Sequence, residues 1–480
     1  MAWSKGKTAA VAGAAVGGAI AGWRLGKQAV LREKNRSIPK GQRIVILGAG
    51  FAGLNAAREL ARQLPGAGDA HITLVDRNNF LLFTPMLTEV AGGELDPHHI
   101  VAPPRRLSPR IAFQQGLVHD IDLANRSVVL NVGAGEPRRR TLKADQLVIA
   151  LGSAPNYHHV AGVREHSLSI KSIEDAARIR NRVLETLELA NLEDDAARRR
   201  EILTFVVGGG GYTGVETMAA INDLARATAR QYPNVQPQEI ATILIEPGHR
   251  LLHELSADLA AYAQKKLEER GVRVMLNTKI ADAGPDFVET ADSRRIPARM
   301  LVWAGGIEPS PMISKLDCPH GHHGGIAVDE CCRVPGHSGV WALGDCAEIP
   351  KQGGGTCAPT AQNATREGTV AGRNIAAVLR GEEPQPYRYE PIGELSLVGR
   401  RAGVGQIYGW HFSGFPAWFL WRTIYLSKMP GVAQRTRIAI DWTFDLIFGR
   451  EIAELPMERS APPAPSTPGV PSAPAEPLAT

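Results

Sequence analysis

No cysteine precedes Cys318, and all five in the chain fall between Cys318 and Cys357. The other three, Cys331, Cys332 and Cys346, include a vicinal pair but no C-x-x-C spacing. An odd, irregularly spaced set excludes a secreted disulfide scaffold and fits a reducing compartment. It also gives no ligand pattern for an iron–sulfur cluster. Long apolar runs are missing too: none reaches the ~20 strongly apolar residues of a spanning helix. An excess of one charge sign is absent, and the formal net charge of +5 gives no argument for nucleic acid. Aromatic residues make up only 6% of the chain, and their position therefore carries information. At 480 residues there is room for two or three domains with cores of their own.

What the sequence has is glycine in a repeated arrangement. The apolar run Ile44–Leu47 reads as a buried parallel strand, followed by Gly48, Gly50 and Gly53 in G-x-G-x-x-G and a helical pattern over Leu54–Leu64. Such a turn needs one glycine for its tightness, one for close approach of a pyrophosphate, and one for helix–strand packing. The helix N-terminus then faces the phosphates with free N–H groups. A second strand, His71–Val75, leads into Asp76, placed for a ribose hydroxyl pair. The same unit returns at strand Leu203–Val207, glycines Gly209, Gly211 and Gly214, and strand Ala241–Ile245 ending in Glu246. Two units in one chain imply two nucleotides whose reactive rings meet between domains. Glu246 would repel a ribose 2′-phosphate and so favours NADH over NADPH, a preference that Arg250 nearby could soften. The fold class read from this pattern is α/β, with two Rossmann-like dinucleotide-binding domains, the second inserted in the first.

Further short strands are expected at Val118 and Val128–Leu130, and buried strands at Leu147–Gly152 and Val340–Leu343, the last followed by Gly344 and Asp345. Residues 1–40 differ from the rest. Thr8–Gly22 is mostly Ala, Val and Gly between basic flanks. A small-residue membrane helix, a signal-like leader and a loosely ordered extension all remain open for it. If it spans, the heavier basic flank places the main body on the cytoplasmic side. Beyond Glu454 the Pro/Ala/Ser tail over 456–480 cannot bury a core and is expected to be disordered.

Aromatic residues concentrate between Trp410 and Phe448, among Arg422, Lys428, Arg435 and Arg437. Over the second half of this stretch, Ile440, Phe444, Ile447 and Phe448 share one helical face. Amphipathic helices of this composition suit the headgroup boundary of a membrane. Core packing and dimer formation are the competing readings of the same stripe.

Over roughly 42–455 the chain resembles the two-dinucleotide-binding-domain flavoproteins, and within them the type II NADH dehydrogenases (NADH:quinone oxidoreductases). The resemblance runs through FTPMLTEVAGGELDPHHIVAPPRRL, LVIALGSAPNYHHVAG, IRNRVLETLELA, VVGGGGYTGVE, VWAGGIEPSP, ALGDCAEIP, APTAQNATREG and AWFLWRTIYLSKMPGVAQRTRIAIDWTFDLIFGREI. It implies an FAD-binding domain in two parts, 41–165 and 316–400, around an NADH-binding domain at 166–315, with a membrane-association region at 401–455. Carried over by position, Gly48, Gly50, Gly53, Asp76, Val118, Gly152, Gly344, Asp345 and Ala361 serve FAD. Gly209, Gly211, Gly214, Glu216, Glu246 and Gly305 serve the nicotinamide nucleotide. Gln362, Thr365 and Arg366 lie where quinone enters, and Glu188 matches an acidic residue near that site, with a solvated helix carboxylate as its other reading.

The implied activity is hydride transfer from NADH to FAD, then two-electron transfer to menaquinone or ubiquinone without proton pumping, by a peripheral enzyme on the cytoplasmic face of the cell membrane. A homodimer is a further expectation. Two departures stand out. Arg366 occupies the second Gln position of the family's AQ-x-A-x-Q, and the segment CPHGHHGG at 318–325 is unusual. Cys318, His320, His322 and His323 could ligate Zn²⁺, but an exposed loop is the expectation and no metal is assigned. The missing cysteine pair speaks against a disulfide reductase, and the absence of any cysteine before Cys318 against a sulfide:quinone reductase. The alternatives kept open are a flavoprotein reductase with a protein acceptor and a slow, membrane-associated NADH sensor.

Overall fold

The four residues Ile44–Leu47 are fully or almost fully buried, as a central parallel strand requires. They belong to β1 (Arg43–Leu47) in a computed structural model that describes residues 28–65, 70–106, 108–133, 138–389, 392–448, 450 and 453–454. Thr8–Gly22 and the tail 456–480 lie outside the described residues, and so do the expectations attached to them.

From β1 the chain enters α1 (Phe51–Gln63), β2 (His71–Asp76), the short α2 (Leu87–Ala91), β3 (Ile111–Gln115) and β4 (Gln146–Ile149). It then crosses to β5 (Ser167–Leu168), α3 (Ile173–Leu192), β6 (Thr204–Gly208), α4 (Tyr212–Ala229), β7 (Ala241–Ile245), β8 (Val272–Met275) and β9 (Met300–Trp303). It returns through β10 (Val340–Ala342) and α5 (Ala361–Leu379). Two five-stranded parallel sheets result, in the orders β10-β4-β1-β2-β3 and β5-β9-β6-β7-β8. The first closes only when β10 arrives, about two hundred residues after β4 in sequence. That is the signature of one nucleotide domain inserted in another. Antiparallel pairing of Ser153–Pro155 with Ile307–Pro309 marks the two crossings between them.

Helix α5 lies directly on α1. A Cβ at Gly368 would sit 2.1 Å from the Ala52 carbonyl oxygen, and one at Gly372 2.9 Å from that of Ala56. The contact therefore needs glycine on α5. After α5 an antiparallel meander forms, β11 (Gly393–Leu397), β12 (Gly403–Ile407) and β13 (Trp410–Gly414), followed by α6 (Phe415–Lys428) and α7 (Val432–Phe448). No helix among the described residues is long and apolar enough to cross a membrane.

The aromatic stretch divides by face. Phe415, Phe419, Ile440, Phe444, Ile447 and Phe448 are exposed, as are Tyr408 and Trp410 beside them. Trp418, Trp421 and Trp442 are instead core residues, packed with the apolar residues of α2, α3 and α4. Composition grouped these three with the outward-facing rings. The structure corrects this, because they share their helix faces with Arg422 and Ile438, which point into the body.

Candidate active site

The two glycine turns are built alike. Gly48 has φ +101° and Gly209 φ +110°, values that L side chains rarely adopt. The third glycine of each motif abuts the first: a Cβ at Gly53 would lie 1.9 Å from Gly48 O, and one at Gly214 1.8 Å from Gly209 O. The middle glycines differ. A Cβ at Gly50 or Gly211 would meet nothing within 4 Å, so both backbones face open space at the start of a long helix. That is the arrangement a pyrophosphate needs.

The acidic partners match as well. Asp76 accepts from the N–H groups of Ala49 (2.7 Å) and Asn78 (2.8 Å). Glu246 accepts from Gly210 N–H (2.5 Å) and Gly248 N–H (2.6 Å). Burial raises the Asp76 carboxyl above its ordinary range, against these bonds. Each acid thus sits at the lip of its own turn, where a ribose would lie beside the phosphates. The residues present fit two dinucleotides, FAD and NADH.

Around the first turn the structure gathers Gly152, Gly344 and Asp345. Gly152 has φ +67° and leaves the space beside it free. Asp345 accepts from Ser153 Oγ (2.6 Å), which itself accepts from Lys171 Nζ (2.8 Å). Lys171 Nζ stands 3.7 Å from the same carboxylate. Glu367, 3% exposed, accepts from Gly344 N–H (2.8 Å), and burial pushes its carboxyl up to about 7. Ser153, Lys171 and Glu367 were not singled out from the sequence. Val118 lies in a separate three-stranded antiparallel sheet, paired with Leu130, its side chain against the first domain's core.

At the second turn, Gly305 follows β9, its carbonyl 3.0 Å from His158 Nε2. Glu216 turns away from the glycines. Its carboxylate accepts from Leu397 N–H (3.0 Å) and Thr88 Oγ (3.4 Å) and lines a cavity of about 20 Å³ with Glu89, Glu94, Asp223 and Arg400, room for about one water. Desolvation pushes Glu216 up to about 7.

Ala361, Gln362, Thr365 and Arg366 form the first turns of α5, whose start Thr360 caps by accepting from Asn363 N–H (3.2 Å). Gln362 Nε2 donates to Tyr389 Oη, and Thr365 Oγ donates back to the Ala361 carbonyl (2.7 Å). Arg366 stands over the Tyr389 ring, Cζ 5.2 Å from its centroid. Glu188 does not join this group. It is exposed on α3, and Tyr232 Oη donates to it at 3.0 Å.

A buried ion cluster fastens α6 and α7 to α2, and sequence reasoning missed it. Arg422 Nη2 donates to Glu89 Oε1 (3.1 Å) and Glu94 Oε2 (2.6 Å). Arg450 pairs with the other Glu94 oxygen (2.6 Å) and donates to the Gly92 carbonyl. A charged residue inside each apolar run, Glu89 in MLTEVA and Arg422 in FLWRTIYL, was the available signal. In the 318–325 segment the main-chain N–H groups of His323 and Gly325 bond Glu348 (2.8 and 3.1 Å), and the described residues hold no cluster of His, Cys, Asp or Glu suited to a metal ion.

Comparison with known proteins agrees with this geometry. Residues 42–368 match the model of the pyridine nucleotide-disulphide oxidoreductase family, and residues 392–451 match the NDH2 C-terminal domain. A type II NADH:quinone oxidoreductase of Mycobacterium tuberculosis is 30% identical over 438 residues, covering 87% of this chain and 91% of that one. The demethylphylloquinone reductase NdbB of a Synechocystis species is 30% identical, covering 83% of this chain and 95% of its own length. In fold, the solved structure of NDH2 from Plasmodium falciparum in complex with NADH superposes with a TM-score of 0.79 at 20% identity, over 86% of this chain and all of that one. The chain belongs to the pyridine nucleotide-disulphide oxidoreductase family, and within it to the type II NADH:quinone oxidoreductases.

Proposed function

We propose that this protein oxidises NADH and delivers two electrons, by way of FAD, to a membrane quinone, which takes up two protons from water and leaves as quinol. The observation that carries the reading is the duplicated cradle: two glycine turns of the same build, each with an acid at its lip, in one chain. When bound, FAD supplies the hydride acceptor for NADH and the electron donor for quinone. The chain's own residues bind and orient. Gly50 and the start of α1 receive the FAD pyrophosphate on main-chain N–H groups, with Gly48 and Gly53 shaping the turn and Asp76 at the ribose. Gly152, Gly344 and Asp345 flank the ribityl and ring portion, and Lys171 offsets the Asp345 charge there. Ala361 completes that site, while Val118 supports the same domain from its antiparallel sheet by packing against the core. Gly209, Gly211 and Gly214 hold NADH, with Glu246 at its ribose and Gly305 on the nicotinamide side, while Glu216 ties α4 to Leu397 and Thr88. Gln362, Thr365 and Arg366 form the quinone end. Glu188 acts through its bond to Tyr232 as a structural residue of α3.

The exposed rings of α6 and α7 rest on lipid, with Lys428, Arg435 and Arg437 supplying positive charge towards anionic headgroups. The body is placed on the cytoplasmic face, the side that the basic flank of residues 8–22 favours if that segment spans. A homodimer through the same rings is the second use that an exposed apolar stripe supports. Stopped-flow absorbance of the flavin-loaded protein tests the reading. NADH should bleach the flavin, and a menaquinone or ubiquinone analogue should restore it. A flavin that quinone leaves reduced refutes the proposal. Sedimentation with and without anionic vesicles separates lipid docking from self-association.

A further inference from the structure

Tyr389 lies in the extended segment between α5 and β11, partly exposed. Its hydroxyl oxygen accepts a hydrogen bond from Gln362 Nε2, and the Arg366 guanidinium stands over its ring, 5.2 Å from the centroid. Gln362 and Arg366 are four residues apart on α5, so one helix face holds the phenol by both its hydroxyl and its ring. A row of rings runs from the first glycine turn to Tyr425. Phe51, next to Gly50, meets Phe83 at 5.6 Å, and Phe83 meets Tyr425 at 6.3 Å. Lys428 Nζ lies 5.6 Å from the Tyr425 ring. Burial, with Arg366 nearby, lowers the Lys428 ammonium, while Tyr389 opposes that shift. These side chains therefore border one region.

Counting hydrogens gives that region its chemistry. A Gln amide nitrogen carries two, and one goes to Tyr389. A phenol oxygen that accepts such a bond keeps its own hydrogen to donate. Neither remaining hydrogen has an acceptor among the described residues. Two free donors on atoms already bonded to each other can converge on a single third atom, and a carbonyl oxygen has two lone pairs to receive them.

We propose that Gln362 and Tyr389 together seat one carbonyl oxygen of the quinone, with Tyr389 as the second donor and Arg366 holding its ring in register. The inference rests on the quinone-reductase reading. As the quinone gains two electrons from the reduced enzyme, negative charge grows on its oxygens before two protons arrive from water. A fixed pair of donors favours that charge over the neutral ketone. Arg366, where the family pattern has Gln, replaces an amide with a cation that grips the phenol ring.

The test uses Tyr389→Phe in the flavin-loaded full chain, because phenylalanine keeps the ring under Arg366 and removes only the O–H. NADH should bleach the flavin at the wild-type rate. Re-oxidation by a soluble quinone analogue should slow roughly three- to tenfold, the effect of one neutral hydrogen bond. Quinone titrated against intrinsic fluorescence without NADH should bind more weakly by a factor of the same order. Re-oxidation by ferricyanide, which offers no carbonyl, should be unchanged. Wild-type quinone kinetics in the variant would overturn the seat. Equal slowing with ferricyanide would also overturn it, by reducing Tyr389 to a packing residue. If quinone fails to re-oxidise the wild-type enzyme, the underlying reading falls, and the seat with it.

Discussion

Replacing Arg422 by Met should cost stability in a pH-dependent way. Arg422 is 6% exposed, and its guanidinium lies between the rings of Trp418 (4.3 Å) and Trp442 (4.6 Å). Methionine keeps most of that packing and removes the charge. Glu94 would still have Arg450 at 2.6 Å. Glu89, 2% exposed, would keep only the Trp442 indole N–H at 3.3 Å. Burial, reinforced by Glu94 and Glu216, raises the Glu89 carboxyl from 4.5 to about 8 against the pull of Arg422. The folded protein thus holds a proton that the unfolded chain releases near pH 4.5, and this contribution is lost as pH rises through about 8. Without Arg422 the carboxyl moves higher still, so the loss continues to higher pH. At pH 6 Glu89 is largely neutral with or without Arg422, and the variant loses chiefly the charged hydrogen bond to Glu94, about 1.5–3 kcal/mol. At pH 9 the wild type also gains from an ionised Glu89 beside its cation, and the deficit grows to about 3–5 kcal/mol, as for a broken buried pair. Thermal unfolding of the flavin-loaded protein at one scan rate reads the difference, since a protein of this size is judged by kinetic stability. The lowering of Tm should be clearly larger at pH 9 than at pH 6. Equal lowering at the two values would refute the assignment of the shifted proton to Glu89.

The two glycine cradles should fail separately. Gly53→Ala drives α1 off β1 and should yield protein depleted in FAD, whereas Gly214→Ala should retain FAD yet raise KM for NADH at least about tenfold, since overpacking costs 1–3 kcal/mol; flavin content per chain and steady-state titration check both. Glu246→Gln removes the charge that opposes a ribose 2′-phosphate, so the NADPH-to-NADH ratio of kcat/KM should rise about fivefold, near 1 kcal/mol for an exposed charge contact. Phe444 and Phe448 are 55% and 74% exposed. Changing both to Ser should lower partitioning onto anionic vesicles by roughly tenfold or more, from about 1.5–3 kcal/mol per fully buried apolar side chain, without altering NADH-driven ferricyanide reduction.

The cradles were legible in the sequence because their constraint is local. Gly53 touches the carbonyl of Gly48 five residues earlier, and Gly214 that of Gly209, so spacing alone encodes the contact. The seat of α5 on α1, Gly368 and Gly372 against the carbonyls of Ala52 and Ala56, was not legible in the same way. Each half reads as ordinary small residues until the fold brings together segments more than three hundred residues apart. The meander at 393–414 escaped because its glycines and aromatics resembled the start of the helical stretch. Composition drew the eye to the aromatic residues of α6 and α7 without sorting them. Trp418, Trp421, Arg422 and Tyr425 follow one another at helical spacing, and only the buried carboxylates of Glu89 and Glu94 reveal that this is the inward face.

That division of α6 joins the membrane surface to the electron exit. Its outer face shows Phe415 and Phe419; its inner face carries Arg422 to the ion cluster and Tyr425 to Phe83. Its last turn places Lys428 within electrostatic reach of Tyr389 and Arg366. With α6 and α7 resting on lipid as proposed, the outer face of α6 lies on the acyl region while its last turn lies towards the Gln362–Tyr389 pair. The buried Arg422 thus fixes α6, and with it the exposed face proposed to rest on lipid, without belonging to either glycine turn.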